Sequence, residues 1–384
     1  MEKKDKRYDR IEIKTNSETH KKTVGIVTFH TADNYGAVLQ AYALQTYIRN
    51  TFNYHVRIID FCTPELEREH IVFKNLGYGF LRKCFNIILC FRYYFSIRNR
   101  IDRFAAFRHN NLTLTKNKFE SESDFLENME SFDYYISGSD QVFNPHNKYY
   151  KCYYLGFNKG RGKKISYASS FGVSSFTDEV TLKIKDLVSD FEALSCREND
   201  GAKYLSSITG TNVPQVCDPI FLLSKDEWSK IAKSDRKKSQ YIFVYDLNGG
   251  QNLINIAKKI SRENNDMQII CATVKNRAAY RGVNIVRNLG PIEFLSYIQN
   301  ASYVITDSFH GTAFSYIFKK RVISYIASKE TSNRIISLAD YLGTQDQVVT
   351  TVENFNCNIK YHDYRDKMES FICRSKKYLS DVLK

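Results

Sequence analysis

The feature that most constrains this chain is an alternation of short, apolar, β-rich runs with helical segments. Thr23–His30 is such a run, and a small-residue turn and a helical pattern from Ala37 to about Arg49 follow it. The next β-rich run is His55–Phe61. Strand, turn, helix and strand within about 40 residues form a βαβ unit, which requires a parallel sheet. The sequence therefore predicts an α/β protein.

The alternation occurs in two series, separated by a pause near Pro214 and Pro219. The strands predicted in the second series are Tyr241–Tyr245, Gln268–Thr273, Asn284–Val286, Tyr303–Thr306 and Val322–Ile326. We predict a charged, disordered tail at 1–22, an N-terminal Rossmann-like domain at 23–222, a C-terminal Rossmann-like domain at 223–360 and a terminal helix at 361–384. Two doubly wound halves place a ligand site in the cleft between them, outside the carboxyl ends of the strands.

Composition excludes several classes of protein. The chain is 43% hydrophobic and 26% charged, as globular proteins are, so it is not a disordered chain. Its nine cysteines are scattered without CxxC spacing, so we expect neither disulfides nor a zinc site, and a reducing, cytoplasmic location. No signal peptide is visible at the start, and the apolar stretch Cys84–Phe91 is too short to span a bilayer.

Positive charge is concentrated in one predicted insertion, at about 62–130. The whole chain carries +14, and between Lys74 and Arg108 eight Lys and Arg residues accompany a single Asp. Aromatic residues are interleaved, so this segment (74–108) suits an anionic membrane surface, at the inner face of the membrane. The alternative is a pair of amphipathic helices that pack on the domain and turn their arginines to water. We expect no nucleic acid partner, because no nucleic-acid motif accompanies the charge.

The strongest local pattern for chemistry is the segment VITDSFHGTAFS, Val304–Ser315. A buried strand ends at Thr306 and a helix begins near His310, so the free N–H groups of the helix start favour an anion. Ser308, Gly311 and Thr312 belong to the same turn, and a histidine there can carry or donate a proton. The alternative is an ordinary strand-to-helix turn with a capping side chain.

Three further polar segments follow predicted strands. Arg197 can hold a carboxylate or phosphate through two hydrogen bonds, or can pair with a neighbouring acid on the surface. The other candidates are Asn34, Tyr35 and Gly36, which could shape a pocket, and Ser139, Asp140 and Gln141, which could read sugar hydroxyls. Either segment could equally be a polar loop. The sequence has no GxGxxG, P-loop lysine or GxSxG pattern. It also has no HExxH or EF-hand pattern, so we expect no metal site.

In order along the chain, these segments resemble the polysaccharide pyruvyl transferase family. The resemblance extends from about Thr23 to Leu342. It is carried by GIVTFHTADNYGAVLQAYAL, YYISGSDQVFN, KKISYASSFG, SCRE, CDP and VITDSFHGTAFS. It implies a GT-B-like fold, with two Rossmann-like doubly wound domains facing a cleft. It also implies transfer of the pyruvyl group of phosphoenolpyruvate to a sugar of a surface polysaccharide or its lipid-linked precursor. The product would be a pyruvate ketal, with phosphate released and no cofactor.

The resemblance also implies roles for single residues. Arg197 and His310 match the arginine and histidine of the family's phosphoenolpyruvate site. On chemical grounds His310 could transfer a proton or stabilise the phosphate, and Asp140 could orient or deprotonate the acceptor. Some members carry an arginine where this chain has Ser308. The missing cation could come from Arg334, Lys319 or Lys320.

Two other functions remain open at this point. One is a GT-B glycosyltransferase that uses a nucleotide sugar, because the same architecture supports both reactions. The other is a non-catalytic scaffold at a membrane surface in glycan assembly, which would rest on the basic segment.

Overall fold

A computed structural model describes residues 21–67, 80–157, 162–173, 175–232, 240–248, 250–273, 279–326, 333–353, 355, 357 and 363–384, with side chains from residue 93 onward in the helix that begins at Phe80. Nearly all of the predicted tail at 1–22 therefore lies outside the described residues.

The N-terminal half forms a six-stranded, wholly parallel sheet. Its strands are β1 Thr23–Val27, β2 His55–Phe61, β3 Leu114–Phe119, β4 Tyr134–Ser137, β5 Lys163–Ser166 and β6 Phe191–Ala193. Their order is β3-β2-β1-β4-β5-β6, the strand order of a Rossmann fold. The strands β2 and β3 are added on one side of β1, and β4, β5 and β6 are added on the other side. The segments that follow β1 and β4 therefore lie next to each other.

The C-terminal half repeats this topology. Its strands are β7 Tyr241–Asp246, β8 Gln268–Thr273, β9 Asn284–Val286, β10 Tyr303–Thr306, β11 Arg321–Tyr325 and β12 Val348–Val349. They are parallel in the order β12-β11-β10-β7-β8-β9, with β7 and β10 at the centre. Strand β10 is buried throughout, which is typical of a parallel strand covered by helices on both faces.

Helices cover both sheets. They are α1 Tyr35–Phe52, α2 Pro64–Glu67, α3 Phe80–Asn111, α4 Glu122–Glu127, α5 Tyr150–Tyr153, α6 Asp178–Leu187, α7 Asn199–Thr209, α8 Lys225–Ile231, α9 Gln251–Glu263, α10 Pro291–Asn300, α11 Phe309–Ile317, α12 Asn333–Leu342 and α13 Arg365–Val382. Short 3-10 turns occupy Gln141–Phe143, Pro219–Leu222 and Gln345–Gln347. In the part of the chain that the structure describes, no helix combines the length and apolarity needed to cross a bilayer.

The region predicted as an insertion at 62–130 needs a correction. It contains β3, which pairs with β2 and completes one edge of the sheet, so this region is partly integral to the domain. Helix α3 is continuous, and two of its arginines bind within the protein: Arg103 donates to the Asn288 carbonyl (2.8 Å) and Arg108 to the Asp33 carboxylate (2.9 Å). Residues 68–79 lie outside the described part of the chain.

Tyr35, at the start of α1, fixes the two domains against each other. Its ring stacks on Phe294 of α10 with the centroids 4.3 Å apart, and its hydroxyl donates to the Leu289 carbonyl at 3.0 Å. The side chain is buried, and burial raises the pKa of its hydroxyl. The structure thus places Tyr35 in the contact between the two domains.

The last helix, α13, returns to the N-terminal domain. Ser375 accepts a hydrogen bond from the Cys217 amide (2.8 Å), and Tyr378 donates to the Ser166 carbonyl at the end of β5 (2.9 Å). Leu379 is fully buried in a core cluster that contains residues of both sheets.

Candidate active site

The carboxyl ends of the two sheets face each other across a cavity of about 400 Å³. Segments that follow β1, β4, β7, β10 and β11 contribute to it, as expected for a doubly wound fold. The lining residues are Phe29, Asn34, Asp140, Gln141, Leu247, Asn248, Asp307, Ser308, Phe309, His310, Tyr325 and Arg334. The cavity thus lies where the sequence predicted a ligand site, and the cluster of charged groups beside it is the candidate active site.

Asp218 is the centre of this cluster. Its carboxylate is fully buried, and Oδ2 accepts from Arg197 Nη1 at 2.7 Å and from Ser139 Oγ at 3.1 Å. Its other oxygen accepts from the amide of Ile220 at 3.1 Å, which fixes the carboxylate at the start of a 3-10 turn. Burial alone would raise the pKa of Asp218, but the charges of His310 and Arg197 outweigh burial and hold that pKa below its ordinary value.

His310, from the C-terminal domain, lies close to the Asp218 carboxylate. Its Nε2 lies 3.5 Å from Asp218 Oδ2 and forms no hydrogen bond within the described residues, although it is buried. Ser308 positions the ring, because its side chain caps α11 by accepting from the Gly311 amide at 3.3 Å. An imidazole nitrogen that is buried, close to a carboxylate and otherwise unpartnered is suited to exchange a proton with a ligand.

Two glycines allow the close packing around His310. A Cβ atom on Gly36 would collide with the imidazole ring. Glycine at this position therefore lets the backbone of α1, in the N-terminal domain, pack directly against the His310 ring. A Cβ on Gly311 would lie 2.7 Å from Thr306 Oγ1, so this glycine lets α11 start directly over the end of β10. Both were predicted site residues. In the structure, the absence of a side chain at each position allows the close packing of His310 and of the start of α11.

Arg197 lies one layer beneath the cavity wall. Its guanidinium is buried, lies under the Phe309 ring (4.7 Å to the centroid), and donates through Nε to Glu198 at 3.2 Å. The Nη2 atom has no hydrogen bond within the described residues and lies 3.8 Å from Asp140. Burial opposes the charge of Arg197, but Glu198, Asp218 and Asp140 outweigh it and raise its pKa. The guanidinium is therefore charged, with one buried donor left for a ligand.

A second guanidinium stands at the cavity itself. Arg334, at the start of α12, lines the cavity, and its Nη1 lies 3.9 Å from Asp140 Oδ1. Burial and the neighbouring charge of Arg197 lower the pKa of Arg334. An anion bound between the two arginines would relieve this repulsion. Of the three candidates for the missing cation, the structure places Arg334 at the cavity, whereas Lys319 and Lys320 follow the far end of α11.

Asp140 holds the position between the two arginines in a strained backbone. Its φ of 74° is in a region that favours glycine, at a cost of about 1–3 kcal/mol. Its carboxylate also accepts from the Gln141 amide at 3.0 Å, which starts a 3-10 turn. Such strain persists where the surrounding structure requires a particular side-chain direction. Here that direction points the carboxylate toward the cavity and both guanidiniums.

The start of α11 supplies backbone donors. The Gly311 amide donates to the Ser308 side chain and the Thr312 amide to the Ser308 carbonyl, so these two are used within the helix. The amides of Phe309 and His310 form no hydrogen bond within the described part of the chain. Together with the helix dipole they favour an anion at this end of the cavity.

The remaining predicted residues divide between the cavity and its support. Asn34 and Gln141 line the cavity, and Asn34 also caps α1 by accepting from the Gly36 amide at 2.9 Å. Ser139 and Thr312 are buried behind it, where Ser139 supports Asp218 and Thr312 contacts Ser324 at 2.8 Å.

Sequence reasoning did not assign a site role to Asp218 or Glu198. Both adjoin residues that the sequence did single out, Glu198 beside Arg197 and Asp218 in the segment CDP. An acid directly before proline, near the end of the predicted N-terminal domain, was the available signal for Asp218. Across the described residues, no three His, Cys, Asp or Glu side chains group closely enough to bind a metal ion.

Comparison with known proteins gives a family and a fold. A family profile described as "Polysaccharide pyruvyl transferase" matches residues 34–329. No curated protein matches the chain significantly. The UDP-GlcNAc 2-epimerase of Methanocaldococcus jannaschii, in complex with UDP-GlcNAc and UDP, superposes with a TM-score of 0.51 at 15% identity, over 93% of this chain and 99% of that chain. The UDP-GlcNAc 2-epimerase of Neisseria meningitidis, bound to UDP-GlcNAc, gives a TM-score of 0.50 at 8% identity, over 93% and 99%.

At such low identity these structures show a shared fold alone, the GT-B-like arrangement of two Rossmann-like domains that the sequence predicted. The profile, in contrast, covers most of the chain and includes the residues that line the cavity from Asn34 to Tyr325. This chain belongs to the polysaccharide pyruvyl transferase family, and it is a transferase that acts on polysaccharide.

Proposed function

We propose that this protein transfers the pyruvyl group of phosphoenolpyruvate to two hydroxyls of one sugar in a surface polysaccharide or its lipid-linked precursor, with release of phosphate. The observation that carries the proposal is the meeting of Arg197 and His310, from different domains, on the carboxylate of Asp218. A small anion bound beside this carboxylate would lie within reach of the Arg197 guanidinium from one domain and the His310 imidazole from the other.

The donor has two anionic groups, and the site has donors for both. The carboxylate of phosphoenolpyruvate suits the two guanidiniums, Arg334 at the cavity and the free Nη2 of Arg197 beneath it, since arginine binds such groups bidentately. The phosphate suits the amides of Phe309 and His310 at the start of α11. Asp140, which stands between the arginines, would turn toward the acceptor when the donor binds.

In the proposed reaction, His310 and Asp140 transfer the protons. His310 donates a proton to the methylene carbon, which becomes a methyl group, and the adjacent carbon becomes electrophilic. One sugar hydroxyl attacks that carbon and gives its proton to Asp140. A second hydroxyl of the same sugar displaces phosphate, which leaves with the proton of that hydroxyl. The proton on Asp140 then returns to His310, so both groups are regenerated. The ketal forms two C–O bonds and breaks one, with no oxidation or reduction and no metal or nucleotide.

Asp218 is the positioning residue in this scheme. Its Oδ2 lies 3.5 Å from His310 Nε2, so the carboxylate orients the imidazole that donates the proton. It also holds Arg197 at 2.7 Å, which ties the donor-binding group of one domain to the acid of the other. The scheme is set in the cytoplasm, where phosphoenolpyruvate is formed.

The experiment incubates the full chain with phosphoenolpyruvate and a panel of sugar acceptors, and measures released phosphate and the ketal by mass spectrometry. Arg334→Ala and His310→Ala are expected to lose at least tenfold in kcat/KM, the effect of about 1.4 kcal/mol of transition-state stabilisation. Arg365→Ala is the matched control, because that arginine is exposed and pairs with Asp363 away from the cavity.

Two results would contradict the proposal. One is release of a nucleoside diphosphate from a nucleotide sugar with no consumption of phosphoenolpyruvate, which is the reaction of a GT-B glycosyltransferase. The other is full activity in both cavity variants.

A further inference from the structure

A second hollow, of about 780 Å³, lies between the domains outside the cavity and is called here the interdomain groove. Its walls come from α7 and the segment after it in the N-terminal domain, and from α12 and α13 in the C-terminal half. It is lined by Asn199, Asp200, Ala202, Lys203, Ser206, Asn212, Val213, Pro214, Gln215, Val216, Asn333, Ser337, Asp340, Tyr341 and Arg374. Nothing in the mechanism above uses it.

The groove lies beside the candidate active site. A narrow hollow between them is lined by Glu198, Gly201, Asn333 and Arg334, among others. It shares Arg334 with the cavity and Asn333 with the groove. The hollow itself holds only about 20 Å³, too little for a sugar, so a glycan that occupies both the groove and the cavity would lie across Asn333 and Arg334.

The groove walls are joined to the site and to each other. Gln215 Nε2 donates both to the backbone carbonyl of Arg197 and to Ser337 Oγ, each at 3.1 Å. The Asn199 amide, at the start of α7, also donates to Ser337 at 3.4 Å. These bonds connect the two domains across the floor, so the groove has a defined shape and is more than a gap between surfaces.

The chemistry of the lining fits an uncharged, hydroxyl-rich ligand. Two carboxylates, Asp200 and Asp340, balance two cations, Lys203 and Arg374, so the lining has no net charge to attract a phosphate or a polyanion. Asn199, Asn212, Gln215 and Asn333 place amide side chains in the lining, and amides both donate to and accept from hydroxyls. The amide nitrogens of Gln215 and Asn333 already donate within the protein, so these two offer their oxygens as acceptors. The volume is in the range of about 300–1,000 Å³ that ligand sites occupy.

We infer that the interdomain groove binds neutral sugar residues of the acceptor glycan, next to the sugar that receives the pyruvyl group. The inference rests on the proposed function, because it takes the sugar in the cavity as the end of the same chain. It adds that the acceptor is recognised over several sugar residues and not through the reacting sugar alone.

The experiment compares acceptors that differ only in length: mono-, di-, tri- and tetrasaccharides of galactose, glucose, mannose and N-acetylglucosamine on one p-nitrophenyl group. Saturation-transfer NMR and calorimetry measure binding to the full chain, and phosphate release measures KM. Lys203→Trp and Asp340→Trp each place an indole in the groove from an exposed position. Lys230→Trp and Asp226→Trp are matched controls on α8, also exposed and outside the groove.

For the wild-type chain and both controls, we expect the best trisaccharide to bind at least tenfold more tightly than its monosaccharide. In Lys203→Trp and Asp340→Trp the ratio of trisaccharide affinity to monosaccharide affinity should fall below about three. The inference is overturned if the ratio is near one in the wild type, or if it persists in both groove variants. Binding that depends on length without any use of phosphoenolpyruvate would support the groove and contradict the proposed function, so the two failures are distinguishable.

Discussion

A methyl group on Gly36 would occupy space that the ring of His310 fills. The added Cβ would lie 1.9 Å from His310 Nδ1, whereas real Cβ contacts essentially never fall below 3.0 Å. The imidazole must therefore retreat by at least about 1 Å, or α1 must shift away from α11. In helix propensity alone, alanine is favoured over glycine by about 0.5–1 kcal/mol, so any loss has to come from the collision.

We predict that Gly36→Ala lowers kcat/KM for phosphoenolpyruvate-dependent phosphate release by about 100-fold, the typical effect of a 1 Å misplacement of a catalytic group. The free energy of unfolding should fall by about 1–3 kcal/mol through overpacking, less the gain in helix propensity. Urea unfolding followed by circular dichroism measures this second quantity.

The control is a double-mutant cycle with His310→Ala, which removes the ring that the new methyl group would strike. In that background Gly36→Ala should cost no stability, because the collision is gone. If Gly36→Ala retains wild-type activity, or destabilises both backgrounds equally, then the contact between α1 and the imidazole is not as described and the account of the site fails.

Three further predictions follow from other contacts. Tyr35→Phe should lower the free energy of unfolding by about 0.5–1.5 kcal/mol, measured by urea unfolding, because the buried Leu289 carbonyl loses its donor; an unchanged value would contradict that hydrogen bond. Asp218, whose pKa is depressed, contributes stability that is present above about pH 4 and is lost as pH falls through its folded-state pKa. Asp218→Asn should therefore show a flatter fall in melting temperature below that pH, and an unchanged slope would refute the linkage. The basic segment 74–108 should bind anionic vesicles in flotation at low salt and release them at high salt; absence of binding at low salt would reject peripheral membrane attachment.

Much of the fold could be predicted because buried parallel strands read as apolar runs. The strand predicted at His55–Phe61 has the observed bounds, and Tyr241–Tyr245 differs from β7 by one residue. Strands β3 and β12 escaped prediction. Leu114–Phe119 is largely polar and Val348–Val349 is only two residues long, and both lie at sheet edges, where pairing with a distant strand decides the structure.

The site was predictable only in part, for a related reason. Arg197 and His310 follow strands, so their placement at the carboxyl ends of the sheets could be read from the chain. Asp218 follows no regular strand, and its role exists only because residues from both domains converge on it. Tyr35 looked like a pocket residue because a polar turn precedes it. Its aromatic partner Phe294 comes from the other domain, which the sequence alone does not reveal.

The return of α13 to the N-terminal domain has a consequence for how the molecule unfolds. The helix follows the second sheet in sequence, yet two of its hydrogen bonds join it to Ser166 and Cys217 of the N-terminal domain. Its apolar face lies in one core cluster with side chains of both sheets. Neither half can then lose its structure without exposing apolar surface of the other, so heating should produce a single cooperative transition.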